Sequence, residues 1–313
     1  HRFFLLLILL LSIILRMLWI KTVVFRDEGN VGYVAMVWLQ GYLPYGGSMA
    51  AWNPPLAYLI YLLPIQLFDN EIIPIRMINN VLFWISIIVL YLIAKDWYGR
   101  RVGLVSALFY GVFMNAPIFE THLAIPGSLS VPFVIFSIYF CSIYLRKGQR
   151  SALLVSGLLM SSASLIVQYQ ATGIVLLLVM FVYRYMASKE YTETKTHLTK
   201  HLMADISILV LGILLPFLLT FAYFWSYGVA NDFIQAFSLA RLVGYVTRGD
   251  VYSSLKFLII VEALPLWLFS LFGFIMSLLR FKKYDALLIA WALLFLPIAI
   301  VPPHFGRHFS QLV

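Results

Sequence analysis

Asp27 and Glu28 are adjacent acidic residues that directly follow a long apolar stretch at residues 3–20. They open the segment DEGNVGYVAMVWLQGYLPYGG, which leads into NPPLAYLIYLLP. A charged side chain at the centre of a transmembrane helix costs about 2.5–3.5 kcal/mol, and less near the interface. Two neighbouring carboxylates also repel each other unless a cation lies between them or one takes up a proton. The pair is therefore a candidate general base or metal-ligand site.

A structural interpretation of the same pair stays open. Asp27 could cap the N-terminus of a helix, and Glu28 could interact favourably with the helix dipole. The apolar residues that follow recur at helical spacing and predict a helix over 30–40 that lies in the membrane interface. Gly41 is a typical helix stop. The stripe consists of Val31, Val34, Ala35, Trp38 and Leu39.

The composition is that of an integral membrane protein. Hydrophobic residues make up 63% of the chain and charged residues 11%, against about 25% charged in soluble domains. We expect an all-α, polytopic transmembrane helical bundle of about nine spans, and the net charge of +9 does not require a nucleic-acid partner. The predicted spans are 3–20, 74–94, 102–119, 123–145, 152–167, 171–187, 204–227, 257–279 and 284–301.

The distribution of Lys and Arg predicts the topology. The segment 54–68 is too short for an ordinary span and contains Pro64, so we place it at the membrane surface or as a re-entrant helix. With the N-terminus in the cytoplasm, more than half of the 22 Lys and Arg residues fall in cytoplasmic loops, as the positive-inside rule requires. We therefore expect a multi-pass cell-membrane protein with interfacial helices in a first outer loop at 21–73 and an extracytoplasmic active site. Residues 1–313 should form one transmembrane module, followed by a further C-terminal region.

Other ionisable and polar residues fall on the same predicted outer side. Glu120 lies on a short turn, either as a second wall of the site or as part of an ordinary polar loop. The long loop 228–256 could grip a ligand or could be an ordinary interfacial loop. His304 and His308 are spaced to bind a metal if their segment is helical. The remaining candidates are Gln168, Gln170, Arg241, Arg248 and Arg307.

The order of these segments resembles the GT-C superfamily of membrane glycosyltransferases. Within it, the chain is similar to the protein O-mannosyltransferase and lipid A aminoarabinose transferase branch, a glycosyltransferase family 39-like group. The stretches that carry the resemblance, besides the first outer loop, are IRMINNVLFWISIIVLYLIAKDWYGRR, LAIPGSLSVPFVIFSIYF and GRHFSQLV. The resemblance implies transfer of a sugar, with inversion, from a polyprenyl or dolichyl phosphate donor. The acceptor would be an extracytoplasmic protein, lipid or glycan.

The resemblance also assigns roles to individual residues. Asp27 would be the catalytic acid of the family, and Glu28 would support it or help to hold a divalent metal, for which His304 is a further possible ligand. The chain departs from the family at Gly127, Asn53 and Gln168, where a charged residue is usual. Glu120 is the candidate to replace the missing acid. The phosphate of the donor would then be bound by Arg241, Arg248, Arg307, His308, Gln168 and Gln170.

Two other classes of function stay open. A transporter or flippase for a lipid-linked or anionic substrate should contain internal repeats and polar groups at the membrane midplane, whereas here the ionisable residues gather towards one side. A non-catalytic membrane subunit with the same fold would lack turnover.

Overall fold

The computed structural model describes residues 1–46, 51–68, 71–115, 120–187, 195–236, 264–279 and 284–300. The regular secondary structure in these ranges is helical, and they contain no strand. The helices are α1 (Arg2–Met17), α2 (Arg26–Leu39), α3 (Pro55–Leu67), α4 (Ile72–Tyr98), α5 (Arg100–Phe113), α6 (Pro126–Lys147), α7 (Arg150–Ile166), α8 (Thr172–Ala187), α9 (Lys195–Ser226), α10 (Ala230–Ala236), α11 (Leu264–Leu279) and α12 (Asp285–Ile300). A 3₁₀ turn, Gln168–Ala171, joins α7 to α8.

Each of the nine predicted spans coincides with one of these helices within the described ranges, which confirms the all-α class. Three helical segments are long and apolar enough to cross a membrane, namely Ile72–Tyr98, Pro126–Lys147 and His201–Ser226. The chain is therefore a membrane protein. Nine crossings remain a prediction.

The first predicted outer loop forms two helices that pack on each other. In α2, Val31, Val34 and Ala35 of the apolar stripe are buried, whereas Leu39 is 42% exposed. They pack with Tyr58 and Tyr61 of α3 in one core cluster, so the stripe faces protein. The 13 residues of α3 span only about 20 Å at 1.5 Å per residue, against roughly 30 Å for a hydrocarbon core. The non-spanning position of this segment stays a prediction.

The basic turns cluster at one end of the bundle. Gly99, with φ of +96°, joins α4 to α5, and Gly148, with φ of +67°, ends α6. The two turns are close in space because Arg146 pairs with Asp96 at 2.8 Å. Glu28 and its contacts lie at the other end of α4. The basic turns and the pair formed by Glu28 and Arg76 thus lie towards opposite ends of the bundle.

Helices α7 and α9 cross where both carry glycine. A Cβ built on Gly212 would lie 2.6 Å from the carbonyl oxygen of Leu154 and 3.2 Å from the Cα of Gly157. Real Cβ atoms do not approach a backbone oxygen so closely, so the crossing requires a residue without a side chain. Small residues at a helix crossing allow the two backbones to approach and pack in a membrane.

Gly212→Ala should therefore lower the thermal stability of the detergent-solubilised protein. The backbone of α7 cannot move aside cheaply, and overpacking of this kind costs about 1–3 kcal/mol. Gly273→Ala is the matched control, because a Cβ at Gly273 in α11 meets nothing within 4 Å. Its helix propensity gain of roughly 0.5–1 kcal/mol should leave stability equal or higher. Equal melting temperatures for both variants would contradict the tight crossing.

Candidate functional site

Glu28 is a buried structural anchor. Its side chain has no solvent exposure, and it forms a two-pronged ion pair with Arg76 of α4. Arg76 Nε donates to Oε1 at 3.0 Å and Nη2 donates to Oε2 at 2.6 Å. The backbone N–H groups of Ala124 and Phe25 also donate to this carboxylate, at 2.7 and 3.2 Å. Arg76 thus supplies the positive charge that offsets the buried carboxylate of Glu28.

Asp27 is partly exposed in the first turn of α2. Phe25 is the residue at the N-cap, and it makes no side-chain cap hydrogen bond. The interpretation of Asp27 as the helix cap is therefore wrong: the chain enters the helix two residues earlier. Successive residues of a helix point about 100° apart, so the fixed inward direction of Glu28 orients Asp27 away from the Arg76 pair. We define the acidic site as Asp27, Glu28 and Glu120.

Glu120 belongs to this site because its charge and that of Asp27 interact. Burial, and then the negative charge of Asp27, raise the pKa of Glu120 to about 7. Glu120 also adopts a left-handed backbone with φ of +52°, a conformation that costs a non-glycine residue about 1–3 kcal/mol and is concentrated at functional sites. Two partly accessible carboxyl groups, those of Asp27 and Glu120, thus lie within electrostatic reach of each other.

The loop that follows Glu120 is held by side chains from four helices. Asn79 of α4 donates to the carbonyl groups of Thr121 and Leu123, both at 2.9 Å. The Tyr61 hydroxyl of α3 donates to the Ala124 carbonyl at 2.5 Å. Arg16 of α1 donates to the Thr121 carbonyl, and Glu28 of α2 accepts from Ala124. These bonds compensate the strained backbone at Glu120 and fix its position relative to α2.

Arg16 extends this polar network into the first span. It is 1% exposed, its Nε donates to Asn80 at 2.7 Å, and its guanidinium lies 3.9 Å from the centre of the Phe83 ring. These contacts join the end of α1 to α4.

His122 is buried beside the network and stacks against Trp19, with ring centroids 5.2 Å apart. Burial, and then the charges of Arg16 and Arg76, lower the pKa of His122 to about 4 against the opposing effect of Glu28. The imidazole is therefore neutral at pH 7. His122 contributes to the wall of the site as a packed aromatic ring.

The raised pKa of Glu120 predicts a pH-dependent stability. A folded-state pKa above the unfolded value of 4.5 stabilises the fold below pH 4.5, and the contribution is lost as the pH rises through about 7. Glu120→Gln should therefore have the melting temperature of the wild type at pH 4 and a higher one at pH 8. The gain in the free energy of unfolding at pH 8 should be about 1–2 kcal/mol once solvent screening is allowed for.

Thermal unfolding in detergent at the two pH values tests this prediction. Glu71→Gln is the control, since Glu71 is exposed, and its stability should follow the wild type throughout. Asp27→Asn should move the Glu120 transition to lower pH by removing the neighbouring charge. A wild type and an E120Q variant with the same pH dependence would refute the assignment.

The residues present do not fit the expected metal site with Glu28 as a ligand. Both carboxylate oxygens of Glu28 already accept hydrogen bonds from Arg76 and backbone N–H groups. In the described ranges no three His, Cys, Asp or Glu side chains are grouped to hold a metal ion. His304, the third proposed ligand, lies outside those ranges.

The candidate phosphate-binding residues divide into two groups. Gln168 donates to the Trp52 carbonyl at 3.3 Å, and Gln170 is buried and donates to Ser130 Oγ at 3.0 Å. Both lie at the same end of the bundle as the acidic site, near the starts of α3 and α6. The other four candidates lie outside the described residues: Arg241, Arg248, Arg307 and His308.

Sequence reasoning counted Arg76 only as a loop cation and missed its neighbours Asn79 and Asn80. The signal was present in the run IRMINNV, where polar side chains at positions i, i+3 and i+4 share one face of an otherwise apolar helix. Arg16 carries a similar signal, because ionisable residues inside a span usually face the protein interior and pair there.

The chain matches one family model. The model is described as dolichyl-phosphate-mannose-protein mannosyltransferase, and it matches residues 52–220, just over half of the 313 residues. The matched range includes Arg76, Glu120 and the loop after it, while Asp27 and Glu28 precede it. No curated protein and no solved structure matches the chain.

Proposed function

Because the chain belongs to the dolichyl-phosphate-mannose-protein mannosyltransferase family, whose members are membrane mannosyltransferases of the GT-C type, we propose that it is a glycosyltransferase with its active site at the acidic site. The donor is a polyprenyl or dolichyl phosphate sugar, and the acceptor is a hydroxyl group of an extracytoplasmic protein, lipid or glycan. The observation that carries this proposal is the position of Asp27. The buried Glu28 fixes the direction in which Asp27 points from α2. Asp27 also lies within electrostatic reach of Glu120.

The reaction is a single displacement at the anomeric carbon. The acceptor oxygen bonds to this carbon from the face opposite the phosphate, the bond from carbon to phosphate oxygen breaks, and the configuration inverts. The acceptor proton passes to the Asp27 carboxylate, which acts as general base. The lipid phosphate leaves with its negative charge.

Glu28 acts as a positioning residue in this mechanism. Its carboxylate oxygens already accept hydrogen bonds from Arg76 and two backbone N–H groups, so Glu28 contacts neither the donor nor the acceptor. It fixes the first turn of α2 against α4 and against the loop after Glu120. Glu120, which titrates near pH 7, supplies a second carboxyl group that orients the acceptor hydroxyl towards Asp27.

The departing phosphate needs hydrogen-bond donors or cations at the same end of the bundle. We assign this task to Arg241, Arg248, Arg307 and His308, together with Gln168 and Gln170. Guanidinium groups suit it because they bind phosphate through two parallel hydrogen bonds. The lipid tail of the donor then lies between helices, with its headgroup level with Asp27.

The experiment is transfer in sealed proteoliposomes that contain the purified protein. A polyprenyl phosphate [³H]mannose donor is supplied together with a hydroxyl-bearing acceptor peptide. We expect labelled peptide and free polyprenyl phosphate in equal amounts. Movement of label across the membrane without covalent transfer would identify a transporter instead, and neither event would identify a non-catalytic subunit.

A further inference from the structure

A second site lies at the other end of the bundle. A cavity of about 310 Å³ lies between α4, α5, α6, α8 and α12. Trp97 lines it near the end of α4, whereas Arg76 meets the acidic site near the start of that helix. The two residues are separated by roughly 30 Å at 1.5 Å per residue. The cavity is therefore separate from the proposed active site.

The wall of the cavity is apolar, and its size is that of a small ligand site. Its lining includes Leu90, Ile138, Met180 and Leu287. Ligand pockets have volumes of about 300–1,000 Å³, and apolar cavities stay dry and accept apolar molecules in place of water. A hydrocarbon chain is the occupant that this lining suits, and the surrounding bilayer supplies hydrocarbon chains at high concentration.

Polar groups on residues that line or flank the cavity indicate which hydrocarbon chain it binds. Trp97 Nε1 is buried and has no hydrogen-bond partner in the described part of the chain, although indole N–H groups usually find one. Val102 lines the cavity and is 42% exposed, so the cavity reaches the surface there. The exposed residues Arg100 and Arg101 directly precede it. A free donor and two cations complement an ester carbonyl and an anionic phosphate.

We propose that this cavity binds one acyl chain of an anionic membrane glycerophospholipid. The chain fills the apolar space, an ester carbonyl accepts the hydrogen bond of Trp97 Nε1–H, and the phosphate lies beside Arg100 and Arg101. The lipid stabilises the junction of α4, α5 and α12, where Tyr98 donates to Asp285 at 2.7 Å and Trp97 stacks on Tyr284. This inference does not depend on the proposed reaction.

Native mass spectrometry of the purified full chain tests the proposal. The protein is incubated with phosphatidylglycerol, phosphatidylcholine or polyprenyl phosphate in detergent. Ser106 lines the cavity, and Ser106→Phe should fill it and reduce phosphatidylglycerol retention about tenfold or more, the effect of displacing several buried methylene groups. Val105→Phe is the matched control, because Val105 is 53% exposed on the same helix and does not line the cavity. It should retain lipid like the wild type.

Two further variants test the mouth of the cavity. Trp97→Phe keeps an aromatic side chain but removes the N–H group with the five-membered ring, and it should weaken retention about three- to tenfold, the effect of one lost hydrogen bond. Arg100→Gln with Arg101→Gln should abolish the preference for phosphatidylglycerol over phosphatidylcholine. If Ser106→Phe fails to fold, the retention of phosphatidylglycerol by Trp97→Phe tests the proposal instead.

Three outcomes would overturn the proposal. In the first the wild type binds no phospholipid, and in the second Ser106→Phe lowers the retention of polyprenyl phosphate and not that of phosphatidylglycerol. Equal retention of phosphatidylglycerol by the wild type and by folded Ser106→Phe, or by Trp97→Phe, is the third.

Discussion

Asp27→Asn is expected to lower the rate of sugar transfer by about 10²–10⁴-fold, the usual contribution of a general base. The amide of asparagine is close in shape to the carboxylate but cannot accept the acceptor proton at neutral pH. Donor binding should change much less, because Asp27 acts on the acceptor hydroxyl. The measurement is single-turnover transfer from a polyprenyl phosphate [³H]mannose donor to an acceptor peptide.

The control for this substitution is Asp232→Asn. Asp232 is exposed and lies in the first turn of α10, so the substitution removes the same charge from an equivalent position on another helix. Its transfer rate should stay within about twofold of the wild type, since surface substitutions of this kind change free energies by no more than about 0.5 kcal/mol.

Asp27→Glu separates a chemical role from a structural one. It keeps a base but moves it by one methylene group, so part of the activity should return while the melting temperature stays that of Asp27→Asn. If Asp27→Asn transfers sugar at the wild-type rate, the assignment of the base is wrong. A loss of rate accompanied by an equal loss of folded protein would also contradict it.

The helical segments could be predicted from the sequence because burial in a membrane leaves a strong local signal. Apolar runs and the helical stripe predicted eleven of the twelve described helices, whereas α10 lies in the segment 228–256, which was predicted as a loop. The short segment with Pro64 is a helix of 13 residues, and its position at the membrane surface stays a prediction. Its burial against α2, α4 and α7 could not be predicted, because tertiary contacts leave no periodic signal in 13 residues.

The roles of the two adjacent acids could not be separated from the sequence. Asp27 and Glu28 have the same chemistry, and only the exact start of α2 determines which of them faces inwards. Phe25 at the N-cap places Glu28 three residues into the helix, where its carboxylate reaches back to the Phe25 N–H group at 3.2 Å. Arg76 then fixes that direction from a helix 48 residues away in the chain.

The position of Glu120 relative to Asp27 depends on long-range contacts as well. The loop after it is held by Asn79, Tyr61 and Arg16, each from a different helix. No local propensity favours a left-handed glutamate, so its backbone conformation follows from these contacts. Sequence order alone could place Glu120 on the same side of the membrane but not beside Asp27.

Arg76→Met should cause the largest loss of stability among the substitutions considered. It leaves the Glu28 carboxylate fully buried with no cation, and breaking a buried ion pair from one side costs about 3–5 kcal/mol. The Thr22 carbonyl, to which Arg76 donates at 2.7 Å, loses its partner at the same time. We expect a clearly lower melting temperature in detergent and a loss of transfer activity.

A double-mutant cycle distinguishes this ion pair from a general effect of losing arginine. Glu28→Met with Arg76→Met removes both charges from the interior, so the double variant should be more stable than Arg76→Met alone. Arg2→Met is the control for a surface arginine, since Arg2 is exposed, and its free energy of unfolding should stay within about 0.5 kcal/mol of the wild type. Additive single effects in the cycle would mean that the two side chains do not form a coupled pair. If the double variant regains stability without transfer, Glu28 and Arg76 also position Asp27, since a methionine pair restores the packing but not the direction of the first turn of α2.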